Sequence, residues 1–320
     1  MAYYAAIDLG SHTVRMLIVS VKGGIVSPVK NERVVTGLAK EFAQEKRLSK
    51  TGKLATIETL KYYRRIMHEQ NVESYICGAT GVLRKAADAR DFLDEIFDKT
   101  GIVCTVLTEE DEALISFKGT TSMLYNSTDP VIVFDLGGSS TEFVLAEKER
   151  PVFLKSLFIG ASTLTSMFLQ KAPAPPSSVQ QARTYIDTLL PNSLKELLQF
   201  IRGRPIGTLI GTAGTVATLG AIKKQMENYV PYKICGLEID RQWLSEIINE
   251  IASKDIEERR KIKGLEPGRE DIILGGAIIV EGIMKTLGME NIVVSDAGLL
   301  EGLAIKVAER ETETNLTWKS

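Results

Sequence analysis

Two stretches of this chain share one plan. Residues 3–20, YYAAIDLGSHTVRMLIVS, carry an apolar strand into Asp8, turn through Gly10, Ser11, His12 and Thr13, and leave along a second strand. Residues 131–148, VIVFDLGGSSTEFVLAEK, repeat it around Asp135, with the turn Gly137, Gly138, Ser139, Ser140 and Thr141 followed by Glu142. A turn that only reverses the chain uses two residues. These are longer and mix glycine with hydroxyl side chains. Glycine permits positive φ and close approach, while successive N–H groups and hydroxyls converge on an anion such as phosphate. An aspartate at the strand end repels phosphate but can hold a divalent cation, or its water shell, beside it. One such motif arises by chance; two in the same strand context argue for a phosphate grip built twice.

A third glycine turn, LIGTAGTVATLGA, puts a strand before Gly211, Thr212, Gly214 and Thr215 and a helix after them, the setting in which a helix N-terminus attracts phosphate or the polar part of a nucleotide. A fourth, VSDAGLLEG from Val294 to Gly302, has strand, acid, glycine and helix in the same order. Strand patterns at residues 3–9, 15–20, 74–77 and 104–107 alternate with helical ones near 51–70 and 88–100, an α/β layout. A helix is predicted to open at Thr108, whose hydroxyl caps it, with Glu109, Glu110 and Asp111 favoured by the helix dipole. The polar stretch 125–130 marks a boundary, giving domains at 1–125 and 126–308 and a polar tail at 309–320.

Composition excludes several classes. A net charge of -2 with both signs intermixed gives no footprint for nucleic-acid phosphates. The longest apolar stretch, 272–280, is too short for a membrane span, and MAYYAAIDLG lacks the pattern of a signal peptide, so the expectation is a soluble, cytoplasmic protein with no membrane partner. Cys77, Cys104 and Cys235, odd in number and scattered, read as reduced thiols rather than a disulfide framework or zinc site.

The four elements in this order resemble the superfamily of sugar kinases, Hsp70 chaperones and actin. Within it, IDLGSHTVRMLIV, GATGVLRKA, TEEDEALISFKG, FDLGGSSTEFVL, GTAGT and VSDAGLLEG are similar to the exopolyphosphatase / guanosine pentaphosphate phosphohydrolase family, from Ala5 to about Ala308. The resemblance implies an α/β fold of two actin-like ATPase (ribonuclease H-like) domains with the active site in the cleft between them. It implies hydrolysis of a terminal phosphoanhydride of polyphosphate or guanosine pentaphosphate, with Mg2+ as the usual metal and Mn2+ as a substitute. Glu112 matches the catalytic glutamate that orients water, Glu142 a second glutamate that shares that role or binds metal, and Arg84 an arginine that stabilises phosphate charge. Asp135 is the first choice of metal ligand and Asp8 the second. Arg84 has a plainer rival role, pairing with Asp88, and Arg269 matches a family position that a helix-start ion pair explains equally well.

The chain departs from the family at His12 (usually asparagine), Ser139 (glycine), and Leu114 and Leu300 (arginine). Larger members carry extra helical domains after the two actin-like ones, and no such sequence follows here, so the expectation is short substrates; a homodimer stays open. Two competing readings stand beside the hydrolase: an ATP-dependent kinase of the same superfold, and a polyphosphate or nucleotide sensor that binds without turnover.

Overall fold

A computed structural model describes residues 1–40, 46–122, 130–147, 150–228, 233–314 and 316–318. The chain divides into two compact units, 1–123 with 299–320, and 124–298.

Unit 1 begins with a meander: β1 (Ala2–Leu9), β2 (Thr13–Lys22) and β3 (Ile25–Val35), each antiparallel to the last. Helix α1 (Lys50–Glu69) returns the chain to β4 (Ser74–Ala79), which pairs parallel to β1. Helix α2 (Ala89–Thr100) ends at Gly101, in the left-handed conformation usual for a helix terminator, and leads to the short β5 (Thr105–Val106), parallel to β4. Helix α3 (Glu109–Ser122) opens as expected, with the Asp111 N–H donating to Thr108 Oγ1 at 3.0 Å.

β1 is buried on both faces, as a central strand must be. Ala5, Ile7 and Leu9 pack with Leu60, Tyr63, Phe92 and Ile96 from α1 and α2. Tyr4 and Ala6 belong to a second cluster on the opposite face. β3 is not evident in the sequence because Pro28 interrupts it and its side chains are largely exposed. Pro28 sits where the register slips, at a bulge opposite Ile18 and Val19, the kind of place a sheet tolerates a residue without an N–H.

Unit 2 repeats the meander with β6 (Val131–Leu136), β7 (Thr141–Glu147) and β8 (Arg150–Leu157). Helices α4 (Ala161–Phe168) and α5 (Pro176–Ser193) follow, then β9 (Thr208–Thr212), parallel to β6, and α6 (Ala213–Lys223). β10 (Glu238–Asp240), α7 (Arg241–Ser253), α8 (Ile273–Leu287) and β11 (Asn291–Val294) complete it, with β11 parallel to β9. The almost wholly apolar α8 is the hub of its core, meeting α4, α5, α6 and α7.

The chain then returns to unit 1. Helix α9 (Leu299–Thr312) packs on α3, β1 and β4, and β12 (Thr317–Trp318) extends β3. Residues 299–308 therefore belong to the first unit rather than the second. Among the described residues of the expected polar tail, α9 runs on to Thr312, and Trp318 is buried in the cluster that holds Leu303, Ala304 and Val307. The physical reason is that α9 supplies the apolar cover for the second face of the first sheet. The 125/126 boundary expected from the sequence lies outside the described residues.

Candidate active site

The two hairpins match down to single hydrogen bonds. In unit 1, β1 and β2 pair Asp8 with Arg15 and Leu9 with Val14, and Gly10 N–H donates to Thr13 O at 3.0 Å. In unit 2, Asp135 pairs with Glu142 and Leu136 with Thr141, and Gly137 N–H donates to Ser140 O at 3.0 Å. Gly10, Gly137 and Gly138 are not at positive φ, and neither is Ser139, so conformational freedom is not what glycine supplies here and serine at 139 is unstrained.

Each turn has its carbonyl oxygens tied back by the segment that follows the third strand. Ser11 O accepts from Ala39 N–H at 2.8 Å and His12 O from the N–H groups of Thr36 and Gly37, both at 2.9 Å. Gly137 O accepts from Ala161 N–H at 3.0 Å, and Gly138 O from Ser162 and Thr163 N–H at 2.8 and 3.2 Å. Oxygens that would repel an anion are thereby occupied inside the protein. In unit 2 the start of α4 does this work, and it sits so close that a Cβ on Gly160 would stand 2.5 Å from the Gly138 carbonyl carbon. Sequence reasoning missed Gly160, Ser162 and Thr163; the Gly-Ala-Ser-Thr run opening a helix straight after β8 was the available signal.

The hairpins differ in the residue facing the aspartate. Asp8 takes two hydrogen bonds from Arg15, from Nε at 3.2 Å and Nη2 at 3.0 Å, so its charge is already matched. Asp135 faces Glu142, and like charges directly opposite each other across two strands oppose pairing. Glu142 Oε1 also accepts from Ser156 Oγ at 3.0 Å, and Thr212 neighbours Asp135 on the other side. The row Thr212, Asp135, Glu142, Ser156 thus runs across one face of the sheet. The donor set of Asp135 and Glu142 fits a hard divalent cation, whereas Asp8, engaged by Arg15, does not. Among the described residues no group of three or more His, Cys, Asp or Glu could hold a metal. Protein carboxylates here would supply part of a coordination shell, as is usual for Mg2+.

The parallel strands β1, β4 and β5 end on one edge of the unit 1 sheet and deliver the remaining candidates there. After β4 comes a 3-10 turn, Gly81–Arg84; Gly81 is at φ 59° and directly against Ser11, whose Oγ accepts from Val82 N–H at 2.9 Å. Arg84 Nη1 donates to Glu112 Oε2 at the start of α3, and to Leu107 O at 3.2 Å. The alternative partner, Asp88, is instead bound by Lys53 at 2.9 Å and by Leu48 N–H at 3.0 Å. Arg84 and Glu112, two of the three residues given catalytic roles and 28 positions apart, are therefore in contact.

The third turn is strained and crowded. Ala213, the first residue of α6, has φ 73°, a conformation costly for a residue with a Cβ and concentrated at functional sites. Thr212 does not cap α6, since its hydroxyl donates to Ala297 O at 2.7 Å in the fourth turn. Arg269 both pairs with Glu266 and lays its guanidinium where a side chain on residue 214 would stand. Three hydroxyl or backbone candidates serve the fold instead. Thr141 is fully buried and donates to Ile159 O at 2.6 Å, Thr215 is buried against Gly276, and Gly211 leaves room for the Phe134 ring. Leu300, at 1 % exposure, is a core residue of α9, while Leu114 is half-buried. A separate cavity of about 480 Å³ among α5, α7 and α8, lined by the ion pairs Arg183–Glu281, Lys285–Asp187 and Arg241–Glu290, contains none of the candidates.

Two α/β units, each opening with the same aspartate-ended hairpin and gathering its turns at the ends of parallel strands, define a duplicated actin-like fold. The chain belongs to the Ppx/GppA phosphatase family, whose model matches residues 17–311. It is 29% identical over 318 residues to exopolyphosphatase 2 of Mycobacterium tuberculosis, covering 95% of this chain and 98% of that one. It is 30% identical over 315 residues to a bifunctional 3-dehydroquinate synthase/phosphatase of Fusobacterium nucleatum, covering 96% of this chain but 47% of that protein. The crystal structure of the Aquifex aeolicus Ppx/GppA family member superposes with a TM-score of 0.86 at 27% identity, over 98% of this chain and 99% of that one. Among the described residues no helix is long and apolar enough to cross a membrane.

Proposed function

We propose that this chain hydrolyses a terminal phosphoanhydride, releasing orthophosphate from inorganic polyphosphate, short chains foremost, or from guanosine pentaphosphate. The observation that carries the reading is the Arg84–Glu112 pair, held on the sheet edge where Ser11 and Gly81 join the first turn to the segment after β4. Hydrolysis of such a bond needs an oriented water and positive charge on the transferred group. Glu112 is the acceptor for the water proton, and Arg84 the planar donor that fits two phosphate oxygens. Leu107 O helps hold Arg84, so the guanidinium is positioned before substrate arrives. Ser11 keeps its hydroxyl proton for a phosphate oxygen while its lone pair is used by Val82. Mg2+, or Mn2+, held through Asp135 and Glu142 would neutralise charge on the phosphate oxygens. The exopolyphosphatase relative, matched over 98% of its length, supports the polyphosphate substrate.

Leucine in place of the family's arginine at 114 and 300 would favour a binding-only sensor, but Leu300 lies in the apolar core, where loss of a charge is no mark of a weakened site. Orthophosphate release from short polyphosphate, long polyphosphate, guanosine pentaphosphate and ATP, with Mg2+ and with EDTA, tests the reading. Metal-dependent release from one of the first three is expected. Binding with no release from any of them overturns it, and transfer of phosphate from ATP to an acceptor favours the kinase.

A further inference from the structure

Cys77, the fourth residue of β4, and Cys104, just before β5, are neighbours on adjacent parallel strands, one step back from the paired residues Gly78 and Thr105. Their Sγ atoms are 2.9 Å apart, and both cysteines are free thiols. Neighbouring strands stand about 4.8 Å apart, inside the Cα separation of about 4.4–6.8 Å that a disulfide spans. Cys77 is buried at 2 % exposure, and Cys104 is half-buried. The hydrogen bond to Cys104, followed by burial, raises the Cys77 thiol well above its ordinary value, so Cys77 holds its proton while Cys104 meets solvent.

We infer that Cys77 and Cys104 form an oxidation site that closes to an intramolecular disulfide when a peroxide reaches Cys104. Cys104, as thiolate, attacks one oxygen of the peroxide; the O–O bond breaks, the hydroxide released takes up a proton to become water, and Cys104 becomes a sulfenic acid. The Cys77 sulfur then attacks the Cys104 sulfur. The S–S bond forms, the S–O bond breaks, and the hydroxyl leaves as a second water with the Cys77 proton. Two thiols are oxidised by two electrons, and one hydrogen peroxide is reduced to two waters.

The placement gives the bond a mechanical consequence. From Cys77 the chain runs through β4 to Arg84, and from Cys104 through β5 to Glu112, so the two partners of the Arg84–Glu112 pair each lie downstream of one cysteine. β5 is two residues long and exposed, held to β4 by a short ladder and by Leu107 N–H donating to Ala79 O at 2.9 Å. A disulfide behind that ladder fixes the spacing of the two segments ahead of it.

The test uses the full chain, reduced and then treated with a small excess of hydrogen peroxide. The expected product is about 2 Da lighter, contains a proteolytic peptide joining Cys77 to Cys104, leaves Cys235 as the titratable thiol of the denatured protein, and reverts with dithiothreitol. Backbone hydrogen exchange across 105–112 slows on oxidation in the wild type, and in neither Cys104→Ser nor Cys77→Ala. Additions of about 16 or 32 Da at Cys104 without a bond, a disulfide-linked dimer, or three unreacted thiols overturn the inference. None of these readouts depends on phosphatase activity.

Discussion

Gly160→Ala tests how the second turn is supported. Gly160 has φ -146° and ψ 178°, an extended conformation that alanine adopts freely, so backbone freedom plays no part. The obstacle is space: an alanine Cβ would stand 2.5 Å from the Gly138 carbonyl carbon, 2.6 Å from its oxygen and 2.6 Å from Ser139 N. These are backbone atoms and cannot rotate away. The start of α4 must therefore lift off the turn and give up the bonds from Ala161, Ser162 and Thr163 to Gly137 and Gly138. Three bonds at ~0.5–1.5 kcal/mol each come to about 3 kcal/mol. At ~2–4 °C per kcal/mol for a body of this size, the melting temperature should fall by roughly 6–12 °C. Urea unfolding followed by circular dichroism reads the loss. Phosphate release measured below the transition should fall about 100-fold, since small displacements of positioning groups are costly. Gly138→Ala is the internal control. Its Cβ would meet only the Ser162 side chain, at 3.2 Å from an Oγ that can turn aside and 3.9 Å from Cβ, an ordinary contact, so a loss under about 1 kcal/mol is expected. Equal effects of the two substitutions, or an unaffected Gly160→Ala protein, would refute the reasoning.

The other predictions concern charge. Glu112→Gln should leave the unfolding free energy within about 0.5 kcal/mol of wild type and lower phosphate release by ~10²–10⁴-fold; Arg84→Lys should also impair it, because an ammonium that takes the place of Nη1 toward Glu112 and Leu107 leaves no second nitrogen to meet the phosphate oxygens. Glu142→Gln relieves the repulsion opposite Asp135 and should raise metal-free stability by about 0.5 kcal/mol, while abolishing the melting-temperature rise that Mg2+ gives the wild type and EDTA reverses; a full Mg2+ response in the variant would reject the metal assignment. Burial tends to raise the Asp88 carboxyl, but the Lys53 hydrogen bond, the Leu48 N–H and the Lys53 charge together hold it below its ordinary value. A group lowered on folding stabilises fully above its unfolded pKa of about 3.9 and loses that contribution as pH falls through the folded value. Thermal unfolding from pH 6 to pH 2 should therefore show wild type above Asp88→Asn at the upper end and the two curves converging at the lower.

Much of the fold was legible because its signals are local. The two hairpins, the Thr108 cap and the strand-to-helix turn at Gly211 each fit within about twenty residues, and the structure has them where the sequence expects them. What was hidden depends on residues remote in sequence. β3 is disguised by Pro28 and its polar outer face, and is a strand because β2 offers it an edge. Thr141 and Thr215 carry hydroxyls suited to phosphate, but both are buried, and Thr141 donates to Ile159 O, which motif spacing cannot reveal. Arg84 had a plausible partner one turn away in Asp88; that carboxylate is instead spoken for by Lys53, and Glu112 takes its place. The Cys77–Cys104 contact exists only because β4 and β5 lie side by side.

The return of the last segment to the first unit bears on how the protein is made. Unit 2 is continuous, 124–298, and emerges from the ribosome complete. Unit 1 is not: when its first 123 residues have been synthesised, the face of its sheet carrying Tyr4, Ala6, Leu17 and Val19 still lacks Leu303, Ala304, Val307 and Trp318. The domain begun first is thus finished last. Throughout translation of the intervening unit the nascent chain displays an apolar sheet face covered only in part, by Leu107 and Ile115, the kind of surface on which chaperones act and from which aggregation starts.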